Sequence, residues 1–417
     1  MKRLFAYLII MSLFPVLGFA QDPPLTLKDC YALALKQSEV IAMDAEKIKQ
    51  AEAHFLQALG TIMPQVSFSR VETRQHSQVS PSYNKTFEQK FIFTQALFSG
   101  FKEFAGIAAG KLEKKQRENE KIRAQQLLFV DVSDAFYLLL EEREDLKTLD
   151  AIKNAFINRI EELKNRVDLG KSRNSEVVST ETQLYSLEDV IESVKSQEQI
   201  ARQLLEFLTG RPINEISESG AELSLRPESE YMVKAAARTD VQAANFAWQV
   251  DQKGISIARS GFLPSVNLES DYFSHRFSAP TDSRWKTLLT FDVPIFEGTT
   301  TYGQVKEAVS KARESELQFN LTARSALQDI HDSYVNAQTA YLRKGVLDKA
   351  LRSAEKNYDL QLQDYKLSVV NNLDVLTAIQ SLEDIRRNFN HVSYEGKRFY
   401  WQLQAAAGEI DLNGKQL

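Results

Sequence analysis

The chain has 417 residues, 51 Lys+Arg against 56 Asp+Glu, a formal net charge of −5, and 43% hydrophobic residues. This mild acidity excludes the concentrated basic face that nucleic-acid binding needs. A single cysteine, Cys30, excludes a disulfide within the chain.

Residues 1–20 read as a signal peptide. Lys2 and Arg3 precede an apolar stretch from Leu4 to Val16, and Gly18-Phe19-Ala20 is a small-x-small cleavage site. The stretch is too short for a membrane anchor and contains Pro15. The exported chain then begins at Gln21. Cys30 does not directly follow the apolar region, so it reads as a buried helix cysteine and not a lipid attachment point. No later run of 18 apolar residues occurs. An exported chain can still cross a membrane as β-strands, whose signal is much weaker.

A helix is expected from Thr26 to Leu59, with Thr26 as N-cap and Asp29 three residues on. Two strands follow, at 65–73 and 87–98. In the second, Phe87, Phe91, Phe93 and Leu97 alternate with Glu88, Lys90 and Thr94. From Phe101 to Val167 there is no proline. Ile122, Phe129, Val132, Phe136, Leu139 and Leu146 recur at coiled-coil-like steps. Sixty-seven helical residues would span roughly 100 Å, more than any compact domain requires. A break at Asp168–Ser172 precedes a return helix, 175–209.

The whole order then repeats. Ile62-Met63-Pro64-Gln65-Val66 returns as Phe262-Leu263-Pro264-Ser265-Val266, an offset of 200; Phe98-Ser99-Gly100 returns as Phe296-Glu297-Gly298, offset 198. Such self-similarity marks a duplicated unit. The first repeat covers 21–211, with a β-hairpin at 65–98 and a long helical hairpin at 101–209. A linker occupies 212–226. The second repeat covers 227–408, with a β-hairpin at 265–296 and a long helical hairpin at 299–407, and a short tail fills 409–417. Its strands are expected at 265–273 and 285–295. Leu317, Leu321, Leu327, Ile330 and Tyr334 stripe its long helix, which breaks at Lys366–Asn372. Polar loops, 76–86 and 278–284, close the hairpins.

Four strands cannot close a barrel, and an open edge cannot sit in lipid. Strands of this length suit a bilayer crossing, so any barrel must be shared between chains. Two chains give eight strands and a filled interior; three give twelve and room for a lumen, which favours a trimer for a conduit.

These residues resemble the TolC-like outer membrane efflux protein family over essentially the whole exported chain. Leu25-Thr26-Leu27 with Ala32 and Ala34 is similar to the family's opening helix. Arg259-Ser260-Gly261-Phe262-Leu263-Pro264 is similar to its strand entry, and Val293-Pro294-Ile295-Phe296-Glu297-Gly298 with Gln304-Val305 to its strand exit. Tyr365 through Asp374-Val375-Leu376 is similar to its second helix tip. The resemblance implies a mainly α fold with a β-barrel part. Long antiparallel coiled-coil helices would form a periplasmic tunnel. Four strands per chain would build a shared 12-stranded barrel of a homotrimer in outer-membrane lipid. It implies an exit duct of a tripartite efflux pump or type I secretion system. The partners would be a periplasmic adaptor (membrane fusion protein) at the helix tips and an inner-membrane transporter of RND, ABC or MFS type. No cofactor and no catalytic residue are implied.

The tips supply the candidate sites. Leu169, Gly170, Lys171 and Ser172, with Leu367 and Ser368, are candidate adaptor-docking residues. Asp374, Thr377, Glu176 and Ser179 are candidate pore-aperture residues. The sequence departs from the family here. Ser368 stands where glycine is common, and Thr377 follows Asp374 where a second acid is common, so an acidic ring at the mouth has one clear contributor, Asp374. Gly106-Ile107-Ala108-Ala109-Gly110-Lys111 fails as a phosphate loop, having one residue too few between the glycines and Leu112 in place of Ser or Thr. It suits close helix packing. His54, His76, His275, His331 and His391 lack metal-ligand spacing. Two other classes compete. A periplasmic coiled-coil adaptor would carry one helical hairpin inside strand-rich halves, and an exported enzyme would need a compact core; this chain offers neither.

Overall fold

The computed structural model describes residues 24–76, 83–218, 224–276 and 283–410; the signal peptide, parts of both polar loops and of the linker, and most of the tail lie outside them. Helix α1 (Leu27–Gln37) opens with a reciprocal capping box, in which Thr26 and Asp29 each accept from the other's backbone N–H. The single helix expected to Leu59 is two. Ser38 adopts an extended backbone and caps α2 (Glu39–Gly60), its hydroxyl accepting from the Ile41 N–H. A serine that satisfies a helix N-terminus better than a helix interior makes the break.

Strands β1 (Gln65–His76) and β2 (Tyr83–Ser99) lead into α3 (Lys102–Asp168), and α4 (Asn174–Thr209) returns. The second repeat follows with a short helix, α5 (Glu228–Met232), then α6 (Thr239–Arg259), β3 (Ser265–His275), β4 (Trp285–Asp292), α7 (Thr300–Lys366) and α8 (Asn372–Ala406). Both long helices have 67 residues, so each is about 100 Å long. The stretch resembling a phosphate loop lies inside α3. There a Cβ on Gly110 would stand 3.0 Å from the Phe55 Cα, so glycine lets α2 and α3 close together.

The four strands form one antiparallel sheet in the order β1-β2-β3-β4. The register sorts its faces. Val66 opposes Phe93 and Phe68 opposes Phe91. Phe91 opposes Tyr272, Tyr272 opposes Trp285, and Leu268 opposes Leu289. Directly paired residues share a face, so an apolar face runs across all four strands. Lys90, Asp271 and Lys286 lie on the opposite face, where Lys90 and Asp271 form an ion pair of 2.8 Å.

The strands depart from expectation at two places. A bulge between Ala96 and Phe98 makes Leu97 the extra residue and brings Phe98 opposite Val266. Strand β4 ends at Asp292 instead of Ile295. Pro294 has no N–H for a ladder, and β4 is an outer strand with no further partner among the described residues.

The α7 stripe is the other difference. Phe129, Val132, Phe136 and Leu139 of α3 are fully buried, as is Ile330 of α7. Leu317, Leu321 and Leu327 are exposed, Leu317 by 54% and Leu321 by 48%. Helix α3 is flanked by α2 and α4 on its own side and by α6 and α8 on the other, whereas α7 touches extensively only α6 and α8. One flank of α7 is therefore uncovered.

The hairpins are joined by unlike chemistries. Around the tips, Leu149, Phe156, Leu163, Ile191, Val375 and Ile379 form an apolar core. The α3–α8 seam is instead a polar ladder. Asp134 accepts from Gln402 at 3.0 Å, Glu141 meets His391 at 2.6 Å, and Asp145 accepts from Asn390 at 2.9 Å and from Arg387 at 3.1 Å. Such ladders specify register more than they add stability.

Glu142 flanks this ladder. Burial, then the charges of Glu141 and Asp145, push its carboxyl up from 4.5 to about 7. The folded chain therefore holds the proton more tightly than the unfolded one. The resulting stability is complete below 4.5 and is lost as pH rises through about 7. Glu142→Gln should melt higher than the parent at pH 8 and equally at pH 4. Equal melting at both values contradicts the assignment.

Candidate functional site at the helical tips

Both long helices end in the same hydrogen-bond pattern. Lys171 N–H donates to Arg166 O at 2.8 Å and Gly170 N–H to Val167 O at 2.9 Å; Val369 N–H donates to Asp364 O at 2.9 Å and Ser368 N–H to Tyr365 O at 3.0 Å. This crossed pair places one residue in the left-handed region. Gly170 takes it at φ +68° and Ser368 at φ +60°. Glycine adopts that backbone freely; serine does so against its Cβ.

Among the docking candidates, Leu169 is 69% and Leu367 74% exposed, and Lys171 is exposed. Val369 and Leu373, which the sequence reading did not select, are as exposed as these leucines. Four large apolar side chains thus stand in solvent at one end of the chain. Ser172 faces inward, donating to Glu176 at 2.5 Å.

The aperture candidates separate into two groups. Asp374 accepts from the Asn371 N–H at 3.1 Å, while Asn371 accepts from the Leu373 and Asp374 N–H groups at 2.8 and 3.2 Å. Asp374 is thus an exposed member of a capping box as well as a helix-start carboxylate. Thr377 and Ser179 are exposed, and the Thr377 hydroxyl donates to Leu373 O at 2.9 Å. Glu176 belongs elsewhere: it accepts from Tyr365 Oη at 3.3 Å as well as from Ser172.

Glu176 opens a network that joins the two hairpins. Asn372 donates to Thr180 at 3.0 Å and to Glu176 O at 3.5 Å, and accepts from Arg159 Nε at 2.9 Å. The Arg159 guanidinium lies 3.6 Å from the Tyr365 ring centre, and Arg166 lies 4.5 Å from the same ring. Arg159 is 3% exposed, and among the described residues its Nη2 is buried without a partner. Its charge is balanced by Glu162 at 2.8 Å. The sequence reading missed Arg159 and Asn372. Arg159 sits in a charged helical stretch that looks solvated, and its partner is 213 residues away.

Three histidines meet glutamates: His54 with Glu113, His331 with Glu228, and His391 with Glu141. His275 stacks on Phe87. The side chain of His76 lies outside the described residues.

The chain is similar to known proteins along most of its length. Residues 30–211 and 234–409 match the model of a family described as outer membrane efflux protein. The outer membrane protein TolC of Vibrio cholerae serotype O1 is 21% identical over 367 residues, covering 84% of this chain and 83% of that protein. Among solved structures, CusC superposes with a TM-score of 0.84 at 16% identity, covering 92% of each chain. VceC of Vibrio cholerae superposes with a TM-score of 0.82 at 21% identity, covering 92% of this chain and 96% of that one. At these identities the structural likeness is one of fold.

The left-handed serine gives a stability test. Ser368→Gly should raise unfolding stability by about 1 kcal/mol, and Gly170→Ala should lower it by about as much. The measurement is chemical denaturation followed by helical circular dichroism. A destabilised Ser368→Gly variant contradicts the strain.

Proposed function

The chain belongs to the outer membrane efflux protein family, and on that premise we propose that it is a passive outer-membrane exit duct built from three copies. The observation that carries the reading is the sheet. It has one apolar face, and among the described residues β1 pairs only with β2 and β4 only with β3. Unpaired backbone groups at those edges are costly in hydrocarbon, so β4 of one copy must meet β1 of the next. Three copies give about twelve strands, enough for a lumen. The apolar face turns to lipid, and the face bearing Lys90, Asp271 and Lys286 lines the passage. Below it, the helices of about 100 Å carry the passage through the periplasm.

The same reading gives the tips two roles. Leu169, Leu367, Val369 and Leu373 are apolar anchors for the helical tips of a periplasmic adaptor, through which an inner-membrane transporter of RND, ABC or MFS type drives export. Four large exposed apolar side chains at the tips support an interaction site there. The Arg159–Tyr365–Asn372–Glu176 network holds hairpin against hairpin at the mouth, and widening the mouth means breaking it. Asp374, repeated in three copies, sets the charge of the constriction with Thr377 and Ser179 beside it. A tripartite drug pump and a type I secretion system both fit this geometry. The long helices offer no compact core for an enzyme, and the two helical hairpins with a four-stranded sheet do not suit an adaptor.

Purified oligomer in planar bilayers should give discrete conductance steps. Asp374→Ala should raise the step size or weaken block by divalent cations. Steps that do not change in size or block remove Asp374 from the constriction, and a protein that gives no steps contradicts the duct.

A further inference from the structure

We propose that the inner wall of the tunnel carries a binding groove for amphiphilic organic cations, formed by Asp131, Asp134 and Leu138 of α3 with Leu204 and Leu208 of α4. In the duct reading above, on which this rests, the groove opens to the passage and meets the cargo.

Three faces of α3 are occupied. Phe129, Val132, Phe136 and Leu139 are buried in the core they share with α1. Arg143 reaches α4 through Glu198 at 3.0 Å. Asp134 and Asp145 reach α8 through Gln402 and Arg387 at 3.0 and 3.1 Å. At about 100° per residue, Asp131 and Leu138 point away from the α1 side, between the α4 and α8 flanks. Asp131 and Leu204 are exposed. In a wall one helix thick with α1 on its outside, this fourth face is the passage side.

A groove of about 340 Å³ lies there, lined by those three leucines, the two aspartates and Arg398. That is the size of a small-molecule site. Its charge is unbalanced. Among the described residues, Asp134 accepts only from Gln402, an uncharged donor, and Asp131 makes no hydrogen bond or ion pair. Arg398, the one cation in the lining, lies 3.4 Å from Glu141, outside the groove. Burial holds both aspartates above the usual carboxylate range. A cation beside such half-desolvated carboxylates is attracted more strongly than in water. Leucines next to them suit a ligand with an apolar body and a positively charged head. A metal ion suits the groove less, since among the described residues no three acids, histidines or cysteines are placed to hold one.

The second repeat shows that the fold does not require this groove. At the offset of 198, Asp131 and Asp134 recur as Asp329 and Asp332, but Leu138, Leu204 and Leu208 become Asn336, Gln402 and Ala406. Asp329 is also paired with Arg238 at 2.9 Å. Apolar lining and unpaired carboxylate therefore come together in the first repeat and not in its copy, which gives one groove per chain.

Tetraphenylphosphonium, a cation inside an apolar shell, is the probe, and block of single-channel current in planar bilayers is the readout. The parent should be blocked by it and not by tetraphenylborate, which has the same shape and the opposite charge. Tetramethylammonium, which has the charge without the apolar body, should block only weakly. Relative to each variant's own open current, Asp131→Asn should weaken the block about tenfold, the worth of one charge contact in a half-desolvated site. Leu204→Gln, which installs the residue of the second repeat, should weaken it several-fold. Equal block by the two tetraphenyl ions, no block of a conducting parent, or block that survives Asp131→Asn overturns the groove. So does block abolished by Asp374→Ala, which would seat the probe at the mouth. A parent that gives no conductance steps removes the duct reading, and the groove's passage with it.

Discussion

The structure depends on one constraint: a backbone polar group in hydrocarbon must find a partner within the protein. This chain carries a sheet with an apolar face and, among the described residues, two unpaired edges. Water can satisfy such edges, but lipid cannot. A chain of this design is incomplete alone, and the uncovered flank of α7 repeats the message in the helical region. Sheet edge and helix flank ask for the same neighbour, because a second copy supplies both.

Duplication lets one interaction surface serve twice. Helix α3 is buried on both flanks by partners from the two repeats, and its stripe from Phe129 to Leu139 is dry. Its equivalent, α7, has the same length and order but only half the cover. Polar ladders and apolar cores both join hairpin to hairpin: Asp145 meets Arg387 and Asn390, and the tip core takes Phe156 and Leu163 from the first hairpin and Val375 and Ile379 from the second. The tip network around Arg159 is the most buried part of that polar system.

Much of this was legible in the sequence. The internal offset gave the duplication, and the proline-free runs gave α3 and α7 to within a residue or two of their ends. The two β-hairpins were visible in alternation, although that alternation hid the bulge at Leu97, because a bulge is set by the neighbouring strand. The neighbours of Ser38 favour a helix, and only the hydroxyl that caps α2 reverses that preference locally. Val293 and Ile295 have strand-forming side chains, yet β4 ends at Asp292, opposite Ser265, where its partner strand begins. At the tips, the exposed leucines and the turns were readable from residue type. The Arg159–Asn372 contact was not, since no local spacing links residues so far apart in the chain. Glu176 was grouped with Asp374 through the repeat, but the two have different partners, because Tyr365 and Ser172 turn Glu176 inward.

The central claim is that the sheet closes only between copies. Native mass spectrometry of the detergent-extracted protein tests it most directly. The account predicts a single species of three chains that resists dissociation until heated. A folded, membrane-extracted monomer would contradict it, because its two open sheet edges would then be stable in lipid without a partner.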